Sequence, residues 1–262
     1  MNSSIPIQHA QVVYIMGFAG SGKSTLVSSF AEYLSERKFS VACVNLDPGA
    51  EVLPYKPDYD VRSVVKLVDV MRKERLGPNG GLIRAVEIIT NKITEIVKPI
   101  QKLAFSRDWL LIDTTGQLEL FAFRELGETL IRMLNVRSIG VYLVDASMIS
   151  KPSDIVLSQL ISLAIRLRLG IDIVVAINKI DAERVNTREL MEEFLLRVGD
   201  FKERLRKENL GVLTDLTYDL VDFLISYFPP ARIITISAKN KTGFDDLYSI
   251  LHEIFCVCGD LT

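Results

Sequence analysis

Apolar positions fall into short unbroken runs separated by longer periodic stretches. Val12-Val13-Tyr14-Ile15-Met16 is β-branched and nearly all apolar, the pattern of a strand buried on both faces. A glycine loop follows. In 24–38, Leu26, Phe30 and Leu34 recur at i, i+4 and i+8, which predicts an amphipathic helix. Val41-Ala42-Cys43-Val44 is a second buried strand, so this opening reads as a βαβ unit with parallel strands and a right-handed crossover. Further runs at 109–112, 139–144, 171–177 and 232–236 are separated by helical stretches. The alternation predicts an α/β chain, a three-layer α/β/α sandwich around a mainly parallel sheet. Ligands of such sheets sit at the carboxyl ends of the strands.

Two segments exceed what the sheet needs. Segment 58–105 reads as two helices broken at Gly77-Pro78-Asn79-Gly80-Gly81. Segment 187–228 reads as a second helical pair, broken near Asn209-Leu210-Gly211. There Leu190, Phe194, Leu195, Val198 and Leu205 share one face, and Leu213, Leu216, Leu220, Phe223 and Leu224 share another. The economical organisation is one domain, 1–262, with two helical insertions. The polar start, 1–8, is expected to be mobile.

Composition narrows the partners. Hydrophobic residues make up 48% and charged residues 24%, which suits a packed globule. Lys plus Arg is 31 and Asp plus Glu is 33, a formal charge of -2, so neither a nucleic-acid nor a membrane surface is an expected partner. No apolar run reaches the roughly 18 residues of a spanning helix. No Lys or Arg precedes Lys23, so no secretory n-region is visible. The three cysteines, Cys43, Cys256 and Cys258, cannot all pair within one chain, and a reduced cytoplasmic setting is expected.

Chemistry gathers at the predicted strand ends. Gly17-Phe18-Ala19-Gly20-Ser21-Gly22-Lys23-Ser24 matches G-x-x-x-x-G-K-[ST] between a strand and a helix, as in P-loop NTPases. Gly17, Gly20, Ser21 and Gly22 let the backbone curl around phosphates, and Thr25 extends the cradle into the first helical turn. Lys23 supplies a cation for the outer phosphates, and the Ser24 hydroxyl can ligate Mg²⁺. Asp113-Thr114-Thr115-Gly116-Gln117 ends the third predicted strand. Asp113 is placed to hold Mg²⁺ through water, the Gly116 N–H to sense the γ-phosphate, and Gln117 to orient the attacking water.

Asn178-Lys179-Ile180-Asp181 and Ser237-Ala238-Lys239 follow two further strands. A carboxylate such as Asp181 accepts from the N1–H and N2–H₂ of guanine, whereas adenine would leave it desolvated and unpaired. Asn178 and the backbone around Ala238 can meet the N7 and O6 side. The four motifs in order point to GTP. Asp47, in Asn45-Leu46-Asp47-Pro48-Gly49, lands beside the phosphate loop, where it positions water or the Mg²⁺ shell or forms a plain Asx turn.

Taken together, the phosphate loop, Asn45-Leu46-Asp47-Pro48, Gly77-Pro78-Asn79 and Asp113-Thr114-Thr115-Gly116-Gln117 resemble the GPN-loop GTPases of archaea and eukaryotes, over nearly the whole chain. The resemblance implies a homodimer in which Gly77-Pro78-Asn79 of one subunit enters the active site of the other. Asn79 would then donate to the γ-phosphate or the water in trans, a neutral replacement for an arginine finger. By the same carry-over Asp47, Gln117 and Glu119 gather around the water, and Asp113 and Ser24 around Mg²⁺. Members are linked to assembly and transport of RNA polymerase in eukaryotes, which implies a protein client. Two positions depart from the family pattern. Thr115 stands where proline is usual, which loosens the turn after Asp113, and Gly49 stands where alanine is usual.

Other readings of the same motifs compete. A nickel-metallochaperone GTPase shares the motif order, but His9 and His252 are the only histidines, and Cys256-Val257-Cys258 is too sparse for a closed tetrahedral site. ParA/MinD-type ATPases carry an extra lysine early in the loop and lack the guanine motif. A GTP-loaded clamp, with a peptide groove on 187–228, is the alternative from a different class.

Overall fold

A computed structural model describes residues 9–182, 187–208, 211–227 and 233–257. The strands are β1 (Gln11–Gly17), β2 (Val41–Asn45), β3 (Tyr59–Asp60), β4 (Trp109–Asp113), β5 (Ser138–Asp145), β6 (Asp172–Asn178) and β7 (Ile233–Thr235). They form one seven-stranded sheet in the order β3-β2-β4-β1-β5-β6-β7. Every pairing is parallel, from Val12 opposite Leu110 on one side to Val12 opposite Ser138 on the other. All carboxyl ends therefore share one rim. The sixth expected run is realised as β7, and its Arg232 lies outside the described residues, as do residues 1–8 and Cys258.

The helices are α1 (Lys23–Glu36), α2 (Leu67–Glu74), α3 (Pro78–Asn91), α4 (Ile93–Ala104), α5 (Leu118–Ala122), α6 (Glu125–Leu134), α7 (Pro152–Leu169), α8 (Thr187–Leu196), α9 (Val198–Lys207), α10 (Leu213–Tyr227) and α11 (Phe244–Val257). Strand side chains alternate between two apolar layers. Val13, Ile15, Trp109 and Leu111 pack with Leu26 and Phe30 of α1 and Leu247 and Leu251 of α11. Val12, Tyr14, Leu110 and Ile112 pack with helices from α3 to α9 on the other face. Both faces are covered, which is why the strands read as unbroken apolar runs.

Both insertions differ from the expectation. Segment 58–105 begins with β3 and a 3₁₀ turn (Val61–Ser63), and holds three helices rather than two. Gly77 is the extended N-cap of α3 and Pro78 its first helical residue, so the glycine-rich stretch starts a helix. The actual break is Arg75, in the left-handed region at φ 55°. Segment 187–228 also holds three helices, because Arg197 leaves helical geometry. The other expected break, at Asn209 and Leu210, lies outside the described residues. Leu190, Phe194 and Leu205 are buried and Leu195 and Val198 pack against the core as expected. On α10 the shared apolar face is covered only in part, at Leu220 and Leu224. Leu213, Leu216 and Phe223 are exposed, and the buried face is Thr217, Val221 and Leu224. No helix among the described residues is long and apolar enough to cross a membrane.

Candidate functional site

At the end of β1 the chain turns back so tightly that a Cβ on Gly17 would lie 2.6 Å from the Leu143 carbonyl oxygen of β5. Gly22 caps α1 in the left-handed region at φ 97°, without a side-chain cap and with no acid in the first turn. The first-turn amides of Lys23, Ser24 and Thr25 are thus left to an anion. Ser21 Oγ is buried nearby with no hydrogen-bond partner. The Lys23 ammonium donates to the carbonyls of Gly17, Phe18 and Gly116 at 3.0, 3.1 and 3.2 Å. Burial lowers its pKa, and the charges of Asp113 and Asp47 oppose that shift.

Asp113 ends β4, buried in the same place. Burial pushes its carboxyl up to about 6, against the Ser24 and Tyr55 hydroxyls and Lys23. Its Oδ2 accepts from the Tyr55 hydroxyl at 2.9 Å. Its Oδ1 is buried and makes no hydrogen bond of ordinary geometry. A buried carboxylate oxygen left unpartnered beside a serine hydroxyl is a hard-oxygen pair that suits Mg²⁺. The turn that follows is anchored twice: Thr114 Oγ1 donates to Ile15 O at 2.9 Å, and Thr115 Oγ1 to Gln117 O at 2.9 Å. The loosening expected from the missing proline is countered by this second bond. Gln117 caps α5 half-buried, and Glu119 is exposed in its first turn.

The loop after β2 is built on an Asx turn. Asn45 Oδ1 accepts from Asp47 N at 3.0 Å, while its Nδ2 donates to Asp60 Oδ1 at 2.9 Å. Asp47 Oδ1 accepts from Gly49 N at 2.8 Å. Burial raises the Asp47 carboxyl, opposed by the amides of Gly49 and Gly116 and the charges of Lys23 and Arg62. Arg62 grips both Asp60 oxygens and donates to Ala50 O at 2.7 Å. At Gly49 a Cβ would meet Leu67 Cδ2 at 3.1 Å, so glycine lets α2 seat against this loop more closely than alanine would.

Base-recognition residues sit across the rim. Asn178 is buried, donating to Ser21 O and accepting from Ala238 N, both at 2.9 Å. Its amide is mainly a tie between two loops, which leaves its second N–H and one lone pair of Oδ1 for a base. Gly22 leaves it room, since a Cβ there would lie 2.5 Å from Asn178 Nδ2. Lys179, at φ 69°, pairs with Asp145 at 2.7 Å. Asp181 is exposed, and its Oδ1 accepts from Ser237 Oγ at 2.5 Å. The second carboxylate oxygen stays available. Lys239 is exposed in the next turn.

Pro78 and Asn79 are exposed at the start of α3. Pro78 lines a surface groove of about 1000 Å³ together with Pro48, Gly49 and Arg62. Through Pro78 the start of α3 thus borders the groove that the loop after β2 also lines. The Cys256 Sγ is exposed, 3.5 Å from His252 Nδ1. Sequence reasoning missed Tyr55, Arg62 and the role of Asn45, whose partners are distant in sequence or loop-borne.

Over residues 15–257 the chain matches the family described as conserved hypothetical ATP binding protein. It is 36% identical over 251 residues to a GPN-loop GTPase of Pyrococcus abyssi, covering 96% of this chain and 100% of that protein. It is 28% identical to GPN-loop GTPase 1 of Dictyostelium discoideum, over 90% of this chain but 59% of that longer protein. Among solved structures, a P. abyssi GTPase in apo form superposes with a TM-score of 0.86 at 35% identity, covering 95% of this chain and 98% of the other.

Proposed function

The chain belongs to the GPN-loop GTPases, and from that membership we propose that it binds GTP with Mg²⁺ and hydrolyses it to GDP and phosphate as a homodimeric switch. The observation that carries the reading is the Asn178 side chain, which joins the phosphate loop at Ser21 to the base-side loop at Ala238. One polar link thus ties together the two loops that would hold the phosphates and the base. Although the matched family's description names ATP, Asp181 supports guanine. Steadied by Ser237, its carboxylate can accept from two guanine donors that adenine lacks.

The residues divide the work. Lys23, the α1 amides and Ser21 hold the phosphates. Ser24 and Asp113 would hold Mg²⁺, which supplies charge neutralisation on the transferred phosphoryl group. Asp47 and Gln117 would orient the attacking water, with Glu119 two residues on in the first turn of α5. Asn79, exposed on α3, is free to reach a second subunit, where a neutral donor would stabilise the developing charge. A second reading, a clamp that holds a protein client while loaded with GTP, is favoured by one observation. Leu213 and Leu216 of α10 are exposed.

Fluorescent GTP and ATP titrations, with phosphate release measured with and without Mg²⁺, test the proposal. The expected result is guanine-selective binding, slow Mg²⁺-dependent release, and loss of binding in Lys23→Ala. Binding of ATP as tight as GTP sinks the base assignment. Tight GTP binding with no release from the isolated protein favours the clamp.

A further inference from the structure

Residues 54–58 form a strap across the rim, fastened at both ends. On one side the Ser28 hydroxyl of α1 donates to Pro54 O at 3.0 Å. On the other, Asp58 N donates to Cys43 O at 2.7 Å, and Asp58 Oδ2 accepts from Cys43 N of β2 at 2.9 Å. Between the fastenings, the Tyr55 ring packs on the apolar layer under α1, and its hydroxyl reaches Asp113. The strap therefore places one phenol on one carboxylate oxygen. Its two backbone anchors lie on elements that flank Asp113, so the ring is set by the fold rather than by the turn it sits in.

A carboxylate at a strand end rotates readily about its last bond, because that torsion is broad and roughly two-fold. Donation from Tyr55 to Oδ2 at 2.9 Å removes this freedom. It also divides the two oxygens, one filled by the phenol and Oδ1 buried without a hydrogen bond of ordinary geometry. We propose that Tyr55 is a positioning residue for Mg²⁺, turning Asp113 so that Oδ1 is kept for the metal's water shell. The inference rests on the Mg²⁺-dependent nucleotide reading above. Outer-shell hydrogen bonds of this type commonly govern metal affinity without touching the metal.

Tyr55→Phe keeps the ring in the apolar layer and removes only the donor, so a thermal melt close to wild type is expected. The test follows release of a fluorescent N-methylanthraniloyl-GDP as MgCl₂ is raised. In Tyr55→Phe the Mg²⁺ concentration at half-maximal slowing should rise on the order of ten-fold. Release in excess EDTA should stay at the wild-type rate, which a loss of packing would not leave unchanged. In an Asp113→Asn background the same substitution should add no further shift, since the pair acts as one unit. An unchanged or lowered Mg²⁺ midpoint in Tyr55→Phe, or an equal shift without Asp113, overturns the proposal. Should the wild-type protein bind no GDP, or hold it without regard to Mg²⁺, the nucleotide reading falls and this inference with it; the wild-type curve separates the two failures.

Discussion

Thr115 stiffens by a hydrogen bond the turn that its family usually stiffens with a proline ring. Its hydroxyl, wholly buried, holds the Gln117 carbonyl at 2.9 Å and so fixes where the Gln117 side chain departs. Thr115→Val retains the shape and deletes a bond worth about 1 kcal/mol. Single-turnover hydrolysis is expected to slow several-fold with GDP affinity unchanged, while Thr115→Ser stays near wild type; equal rates in all three would discard this role. Asp181 makes a second argument at this scale. Asp181→Asn replaces one of two acceptors by a donor, so guanine loses a partner. A GTP/ATP competition should show the guanine preference shrinking by an order of magnitude or more. Both residues stood out in the sequence because the motifs that contain them are contiguous. Tyr55 did not, since its partner is Asp113, at the end of β4, and nothing in Pro54-Tyr55-Lys56 marks that meeting.

At the scale of elements, the Asp47 loop hangs on Arg62 and Asp60. Burial alone would raise the Asp60 carboxyl, but the Arg62 guanidinium, the Arg62 amide and the Asn45 side chain outweigh it and hold the pKa below the usual range. A carboxyl with a lowered folded pKa adds stability above its unfolded value, near 4, and that contribution disappears as pH falls through the folded one. Arg62→Ala should cost about 1–2 kcal/mol at neutral pH and flatten the acid limb of the stability curve, as read by urea denaturation across pH 3 to 7. An acid limb unchanged by the substitution would remove the pair from this account. The six expected strands were legible because each is apolar on both faces. β3 was not, since two residues, Tyr59 and Asp60, are too few for a period and exist as a strand only through Val44 and Asn45. On α10 the period of residues 213, 216, 220, 223 and 224 traced the helix, but only Leu220 and Leu224 of that stripe are covered, because the core takes the neighbouring face through Thr217 and Val221.

For the molecule as a whole, the open question is whether one chain completes its own catalytic set. Gly77, Pro78 and Asn79 are exposed, and Pro78 lines the groove that also borders Pro48 and Gly49. Mixing Asn79→Ala with Lys23→Ala, each inactive alone, should restore hydrolysis if the loop acts across a dimer, since one site in the mixed species has a sound phosphate loop and a sound Asn79. At random pairing roughly half of the dimers are mixed. No recovery, with mixed dimers demonstrated by affinity tags, would assign the turn to its own subunit.

The Asn178 bridge carries a consequence for evolution and for redesign. A single carboxamide spans the seam between the cradle and the purine end, so neither half can drift alone: altering it to suit a different heterocycle would slacken the grip on the triphosphate as well. Changes in letter preference are therefore channelled to Asp181, the outlying position whose replacement leaves that seam stitched.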